Sequence, residues 1–258
     1  MPSKFRAVAT IARYALVEAR RSGLPWLVLA CLLGALAFAG FLSQVAITEA
    51  SSLQASASAA LLRACAVFLV LAHVASSVAR EANDKGLELA LALPISRPAW
   101  YLGKLLGFVC TGALICAIYA LPLLAWAKPA DVATWWLALA MEAALVAAAS
   151  LFFASALGQT LSAIAATAGL YLLARSIAAI QAIASSPLAG DSAGGEAARW
   201  TVDAFALLLP HLDAAAHGDW LLYGAPTGAE LAATLAGLAI YVVLLATAGL
   251  FDFSRRNL

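Results

Sequence analysis

Residues 133–157 read ATWWLALAMEAALVAAASLFFASAL, an apolar stretch of 25 residues in which Glu142 is the single ionisable side chain. A helix needs about 20 predominantly apolar residues to cross the roughly 30 Å hydrocarbon core of a membrane. A run of this length exceeds what a half-buried helix on a soluble domain carries. The stretch therefore predicts a transmembrane helix.

Five further stretches share this apolar character, at about 24–47, 59–79, 101–126, 161–183 and 230–251. The chain is 64% hydrophobic and 11% charged, with a mean hydropathy of +0.94, whereas soluble domains are about 45–50% apolar and about 25% charged. Six spans and their connections use almost all of the 258 residues. We predict a single all-α transmembrane domain over 1–258.

The placement of basic residues predicts the orientation of the domain. Eleven of the fifteen Lys and Arg residues lie before the first span, around the loop between the second and third spans, or in the C-terminal tail. Cytoplasmic segments carry such an excess, and six crossings return the chain to the same side. We expect a multi-pass inner-membrane protein with both termini in the cytoplasm. The net charge of +1 argues against nucleic acid as a partner, because phosphate binding needs clustered basic residues in excess.

The segment before the first span, residues 1–23, has the pattern of an amphipathic helix. Arg6, Arg13 and Arg20 repeat every seven residues along one stripe. The neighbouring apolar stripe contains Phe5, Val8, Ala12, Ala15, Leu16 and Ala19. We expect the helix to lie on the inner leaflet, with its arginines on anionic lipid head groups. The alternative is a cytoplasmic extension of the first span.

The loop of about 184–229 is the longest connection and is expected on the outer side. Its apolar run at 200–209 is too short to span and is expected to form a helix that caps the bundle and ends before Pro210. The same loop carries His211, Asp213 and His217, which are weak candidates for metal ligands. Six residues place the two imidazoles on different faces of a helix, so we expect no metal site.

The loop between the second and third spans is the most informative segment. Residues 80–104 read REANDKGLELALALPISRPAWYLGK, the tail 251–258 reads FDFSRRNL, and residues 208–213 read LLPHLD. In this order, and on these sides of the membrane, the three motifs resemble permease subunits of type-2 ATP-binding-cassette exporters. The resemblance covers the six-span layout and most of the chain.

The resemblance implies that the loop over about 80–100 forms a coupling helix that docks in a cleft of an ATPase subunit. Four alternating leucines would supply apolar contact, the charged residues would fix the register, and the proline would return the chain to the membrane. The residues assigned to this contact are Glu81, Gly86, Leu87, Glu88, Leu89, Leu91, Leu93, Pro94 and Arg97. The alternative is a solvated loop without a partner, although four exposed leucines would form an unusual patch.

The chain lacks the GxxxxGK[ST] motif of a nucleotide site. The one Gly-Lys pair, Gly103-Lys104, does not complete the motif. Pro98 occupies the position of the first glycine, and Leu105 occupies the position of the Ser or Thr. We expect no catalytic residue and no cofactor in this chain. ATP and Mg²⁺ would bind to the partner ATPase, which the family resemblance implies in two copies. A second copy of the permease, or a paralogue, would complete the assembly.

Two charged residues lie inside predicted spans at matching depth, Glu142 in the fourth and Arg175 in the fifth. An unpaired charge in a span costs about 2.5–3.5 kcal/mol on insertion scales. We therefore hypothesise an intramembrane ion pair between them. A secondary transporter would also use buried ionisable groups, but usually with a repeat between its halves that this sequence lacks. An intramembrane enzyme is disfavoured because GxSxG and HExxH motifs are absent.

Overall fold

The computed structural model describes residues 4–45, 49–83, 96–185 and 193–255. These residues form helices and turns, and none of them lies in a strand. The α-helices are α1 (Lys4–Arg21), α2 (Leu24–Val45), α3 (Ala50–Asn83), α4 (Arg97–Ala120), α5 (Pro129–Leu157), α6 (Thr160–Ala184), α7 (Ala193–Leu208), α8 (Trp220–Tyr223) and α9 (Gly228–Arg255). Short 3₁₀ segments follow α4 at Leu121–Ala125 and precede α8 at Leu212–Ala214.

Six helical segments in the described part are long and apolar enough to cross a membrane, which confirms the predicted all-α class and the number of spans. These segments are Leu24–Val45, Ser51–Glu81, Arg97–Ala125, Pro129–Leu157, Thr160–Ala184 and Gly228–Arg255. The largest difference from the sequence prediction is the second segment, which begins eight residues before position 59. Its first turns are polar, and Gln54 Nε2 donates a hydrogen bond of 2.9 Å to the Ala39 carbonyl of α2.

Local sequence signals fix several helix ends. α4 and α5 both begin with a proline in the first turn, where a missing N–H costs nothing. α5 ends at Leu157 and is capped by Gly158, which has a φ of 66° and whose N–H donates to the Ala154 carbonyl at 3.3 Å. Glycine adopts this left-handed conformation without strain. The tight turn at Gly158 makes α5 and α6 antiparallel neighbours.

α5 lies at the centre of the bundle, in contact with α3, α4, α6 and α9. Its side chains Trp135, Leu139 and Leu151 are completely buried. Close packing between the spans relies on alanines and glycines, as is usual where helices associate without a hydrophobic driving force. α5 is therefore the scaffold against which the more exposed helices are positioned.

The last turn of α3, the first turn of α4 and the C-terminal part of α9 lie at the same end of the bundle. Phe253 of α9 stacks on Trp100 of α4 with ring centroids 5.1 Å apart, and Arg97 Nη1 donates to the Ser254 carbonyl at 3.4 Å. We call this end, which carries Arg80, Arg97 and Ser254, the loop end. The opposite end, where α5 and α9 begin, is called the far end.

The N-terminal segment forms a helix that is separate from the first span. α1 ends at Arg21 and α2 begins at Leu24, so the break at Ser22 and Gly23 argues against a straight extension of the span. Ala12, Ala15 and Ala19 of the predicted apolar stripe are buried, whereas Phe5 is 87% exposed. Part of the stripe is used for packing within the protein, and contact of the helix with a leaflet stays a prediction.

At the far end, the segment after α7 folds back against the bundle. α7 ends two residues before Pro210, as the sequence predicts. Leu212, Ala215 and Ala216 are completely buried, and the short 3₁₀ segment contacts α6. That α7 caps the bundle on the outer side of the membrane stays a prediction.

Candidate functional site

The described residues nearest to the predicted coupling loop are the last turn of α3 and the first turns of α4. Glu81 is in α3 and Arg97 begins α4. The other coupling residues named from the sequence lie outside the described residues. These are Gly86, Leu87, Glu88, Leu89, Leu91, Leu93 and Pro94. The described groups on the two sides of the loop belong to the end of α3 and the start of α4.

Lys104 joins three helices at the loop end. Its Nζ lies 2.5 Å from Glu81 Oε1 of α3 and 3.2 Å from Glu18 Oε2 of α1. Only 6% of its side chain is exposed, whereas Glu18 and Glu81 are 31% and 28% exposed. A mostly buried ammonium needs such compensation, because removing it from water is costly. Lys104 thus ties both ends of the α3–α4 loop to the N-terminal helix.

Glu18 is the second centre of this network. Its Oε1 accepts a hydrogen bond of 2.7 Å from the Ser77 hydroxyl and lies 3.4 Å from Arg80 Nη2. Burial by itself raises the pKa of Glu18, but the Ser77 hydrogen bond and the charges of Lys104 and Arg80 outweigh it and lower the pKa below its ordinary value. The carboxylate is therefore held ionised at neutral pH. We call Glu18, Ser77, Arg80, Glu81 and Lys104 the loop-end network.

His73 lies one turn below Ser77 on α3. It is 6% exposed, and its ring meets the Phe108 ring of α4 edge-on with centroids 5.8 Å apart. Its Nε2 has no hydrogen-bond partner among the described residues. Packing against Phe108 gives the histidine a structural role beside the network.

Two glycines of α4 let α1 approach closely. A Cβ on Gly103 would lie 2.7 Å from Ile11 Cβ, and one on Gly107 would lie 2.5 Å from Ala15 Cβ and 3.0 Å from the Ala12 carbonyl oxygen. These distances are shorter than van der Waals contact, so a side chain at either position would displace α1. The loop-end network depends on this approach, because Glu18 follows one turn after Ala15.

The loop end is also joined to α9. The Arg97 contact with Ser254 and the stacking of Trp100 on Phe253 connect the start of α4 to the last turns of the final span. Tyr101 packs so closely on Gly249 that a side chain there would clash with the phenol. Four helices, α1, α3, α4 and α9, therefore meet around the two ends of the loop.

The structure brings the hypothesised pair together deep in the bundle. Glu142 Oε2 of α5 lies 4.0 Å from Arg175 Nη1 of α6, and Glu142 is completely buried. Tyr171, one turn before Arg175, donates a hydrogen bond of 2.7 Å to Glu142 Oε1. The Glu142 carboxylate is compensated by one charge and one hydroxyl, although its Oε2 accepts no hydrogen bond from the described residues.

Arg175 also holds the segment that follows α7. Its Nη1 donates to the carbonyls of Leu212 and Ala215. Arg63 of α3 donates to the next carbonyl, that of Ala216, at 2.9 Å. Two arginines from different spans thus satisfy buried carbonyls of one short segment. The two arginines therefore hold the segment that follows α7 against the bundle, which gives their charges a structural role.

The weak metal candidates lie in this far-end segment. His211 is exposed, Asp213 is half-buried, and the His217 ring lies 6.2 Å from the Trp220 ring. Within residues 4–45, 49–83, 96–185 and 193–255, no three His, Cys, Asp or Glu side chains form a cluster suited to a metal ion.

Several members of these clusters were missed by sequence reasoning. Glu18 is the only acidic residue among positions 1–48, which is a signal that a partner was needed. Tyr171 stands four residues before Arg175, on the same helix face. No sequence signal links Ser77 to Glu18, because 59 positions separate them.

Comparisons with protein-family models and with curated proteins find no match for this chain.

Proposed function

We propose that this chain is the membrane-spanning permease subunit of an ATP-driven exporter of the ATP-binding-cassette type, coupled through its 80–104 loop to a separate ATPase subunit. The observation that carries the proposal is the loop-end network. It fastens both ends of a leucine-rich loop to three helices through one mostly buried lysine. Because the two helices that flank the loop are joined to each other and to α1, they would move as one unit when a partner binds the loop.

A force applied to the loop would have a direct route into the bundle. Movement at Glu81 or Lys104 displaces α3 and α4 together, because the ion pair between them is short. Glu18 transfers the movement to α1, and Trp100 transfers it to α9 through its stacking on Phe253. Coupling between distant sites travels through such chains of packed and hydrogen-bonded groups. This arrangement suits a subunit that is moved by a partner.

The partner would contact the loop itself. Leu87, Leu89, Leu91 and Leu93 offer apolar anchors, and Glu88 offers charge complementarity. ATP and Mg²⁺ would be bound by the ATPase, and the assembly would contain two ATPase subunits with a second permease copy or a paralogue. The loop end would then face the cytoplasm of a bacterial cell, with the chain in the inner membrane.

The test is copurification from cells that express the tagged chain in mild detergent. We expect an ATPase to copurify with the wild type and to be lost from the Leu89→Asp/Leu91→Asp variant. The matched control is Leu207→Asp/Leu208→Asp in α7, two leucines that are 82% and 74% exposed outside the loop. The control should retain the ATPase. Loss from both variants, or from neither, would contradict docking at the loop.

A secondary transporter is the alternative that a specific observation favours. Glu142 is completely buried, and one carboxylate oxygen accepts no hydrogen bond from the described residues. Buried carboxylates carry protons in many transporters. Transport that follows a proton gradient, requires Glu142 and proceeds without any ATPase partner would support this alternative instead.

A further inference from the structure

A groove lies between α1, α2 and α4, with a volume of about 470 Å³. Its wall is made largely of aliphatic side chains from three helices. Those that shape it are Leu16 and Val17 of α1, Pro25 and Val28 of α2, and Leu114 and Ile118 of α4. Such a surface excludes water and suits a hydrocarbon chain.

The same groove is bordered by two arginines of α1. Arg13 and Arg20 both line it, and both are exposed. Seven residues separate them, which places them on one helix face about 10 Å apart along the axis. Neither forms an ion pair with another described residue, in contrast to Arg80 and Arg175. The groove thus combines an apolar wall with two available positive charges.

The order of contacts along α4 shows where the two arginines and the aliphatic wall lie between the loop end and the far end. α1 meets α4 at Gly103 and Gly107, whereas the α4 residues that line the groove begin at Thr111 and continue to Ile118. The helix that carries the arginines therefore packs on the loop-end side of the groove, and the aliphatic wall continues towards the far end. A ligand that fits this order has an anionic head at the loop end and an apolar tail that runs along α4.

We propose that the groove binds one anionic phospholipid, with its phosphate between Arg13 and Arg20 and an acyl chain against Leu114 and Ile118. A membrane supplies this ligand at high local concentration around any chain with six apolar spans. Stable lipid attachment requires both apolar burial and electrostatic attraction, and the groove offers both. The lipid would fill the space between α1 and α2 and hold α1 in place against α4.

The test is native mass spectrometry of the purified chain in detergent, titrated with dioleoylphosphatidylglycerol or dioleoylphosphatidylcholine. We expect one tightly bound phosphatidylglycerol and weaker binding of the zwitterionic lipid. Arg13→Gln/Arg20→Gln should weaken phosphatidylglycerol binding by about 30-fold, since each basic residue near an anionic lipid contributes about 1 kcal/mol. Leu114→Trp should also weaken it, because the indole would occupy the groove.

The matched control is Arg6→Gln/Arg21→Gln, which removes the same charge from exposed positions of the same helix that do not line the groove. It should alter the affinity by no more than about twofold, because salt screens exposed charges that lie farther than about 8–10 Å from the bound phosphate. Equal losses in both double variants would show diffuse surface attraction and overturn the proposal. Unchanged binding in Arg13→Gln/Arg20→Gln would overturn it as well.

Lipid binding is measured on the purified chain alone, so its outcome does not depend on whether an ATPase partner exists. Leu114 is 57% exposed, so its replacement is expected to leave the fold intact, and an unchanged unfolding temperature checks this. If Leu114→Trp unfolds, Ile118→Trp, at a position 40% exposed, serves as the second variant. Binding that survives a filled groove would contradict the acyl-chain position.

Discussion

Replacing Lys104 with Met removes the cation shared by Glu18 and Glu81 while keeping most of the side-chain volume. The ammonium lies 2.5 Å from one carboxylate and 3.2 Å from the other. Without it, two carboxylates face each other at the loop end with Arg80 as the remaining cation in the network. We expect the variant to be less stable, and we expect the ends of the loop to separate from α1.

The magnitude follows from the exposure of the three groups. Breaking a buried ion pair costs about 3–5 kcal/mol, and breaking an exposed one costs about 0.2–1 kcal/mol. Lys104 is 6% exposed, but its two partners are about 30% exposed, so an intermediate loss of about 2–3 kcal/mol is expected. By the scaling for soluble chains of similar length, this lowers the unfolding temperature by about 4–12 °C.

The assay is thermal unfolding of the purified variant in detergent, followed by a double-mutant cycle. Lys104→Met/Glu81→Gln should lose less stability than the sum of the single changes, because the second change removes a carboxylate that lacks a counter-charge. The control is Lys128→Met. Lys128 is exposed at the start of α5, where its side chain makes no capping hydrogen bond.

A Lys104→Met variant as stable as the wild type would show that the ammonium does not stabilise the loop end. Equal destabilisation by Lys128→Met would also refute this role, since that result would reflect a general loss of positive charge. A strictly additive double-mutant cycle would show that Lys104 and Glu81 do not interact in solution.

Three further predictions concern other parts of the structure. Gly107→Leu should displace α1 and lower the free energy of unfolding by about 1–3 kcal/mol. The displacement is measured by the loss of a cysteine cross-link between α1 and α4. Gly169→Leu, at a position with open space around it, is the control. Because the folded-state pKa of Glu18 is lowered from its ordinary 4.5, its stabilising contribution is present above that value and lost as pH falls through the folded-state pKa. The stability gap between wild type and Glu18→Gln should therefore narrow on acidification from pH 7 to pH 4, and a gap that widens would contradict the assignment. Arg175→Ala and Glu142→Ala should each lower the yield of assembled protein, by more than Arg199→Ala, and normal yields would contradict an essential pair.

The spans were predictable because hydropathy is a local property of the sequence. An apolar run of sufficient length has no other stable environment than a membrane or a very large core. The start of α3 was placed too late, since residues 51–58 are mostly small and polar. The helix continues there because its backbone groups are paired internally and Gln54 bonds to α2.

The loop-end network was not predictable in the same way. Lys104 and Glu18 are 86 positions apart, and only the packing of α1 on Gly103 and Gly107 brings them together. The alanines of α1 fit a lipid-facing stripe and a helix-packing stripe equally well from sequence. Small residues at matching spacing on α4 were the signal for packing.

The pairing of Glu142 with Arg175 was predictable, but the other contacts of Arg175 were not. Matching depth suggested Glu142 and Arg175 as partners, because a charge in a span needs compensation. The carbonyls of Leu212 and Ala215 could not be foreseen as acceptors, since backbone groups carry no sequence signature. Their pairing depends on how the segment after α7 folds back.

Site-specific photo-cross-linking would capture an ATPase subunit that docks on the 80–104 loop. A photoreactive residue at position 89 in the proposed coupling loop, and a control one at position 207 in α7, would be activated in living cells. We expect position 89 to capture a polypeptide that carries a GxxxxGK[ST] nucleotide site, and we expect position 207 not to capture one. Capture of no such protein from position 89, in a correctly inserted chain, would contradict the assignment of this protein as the permease of an ATP-driven exporter.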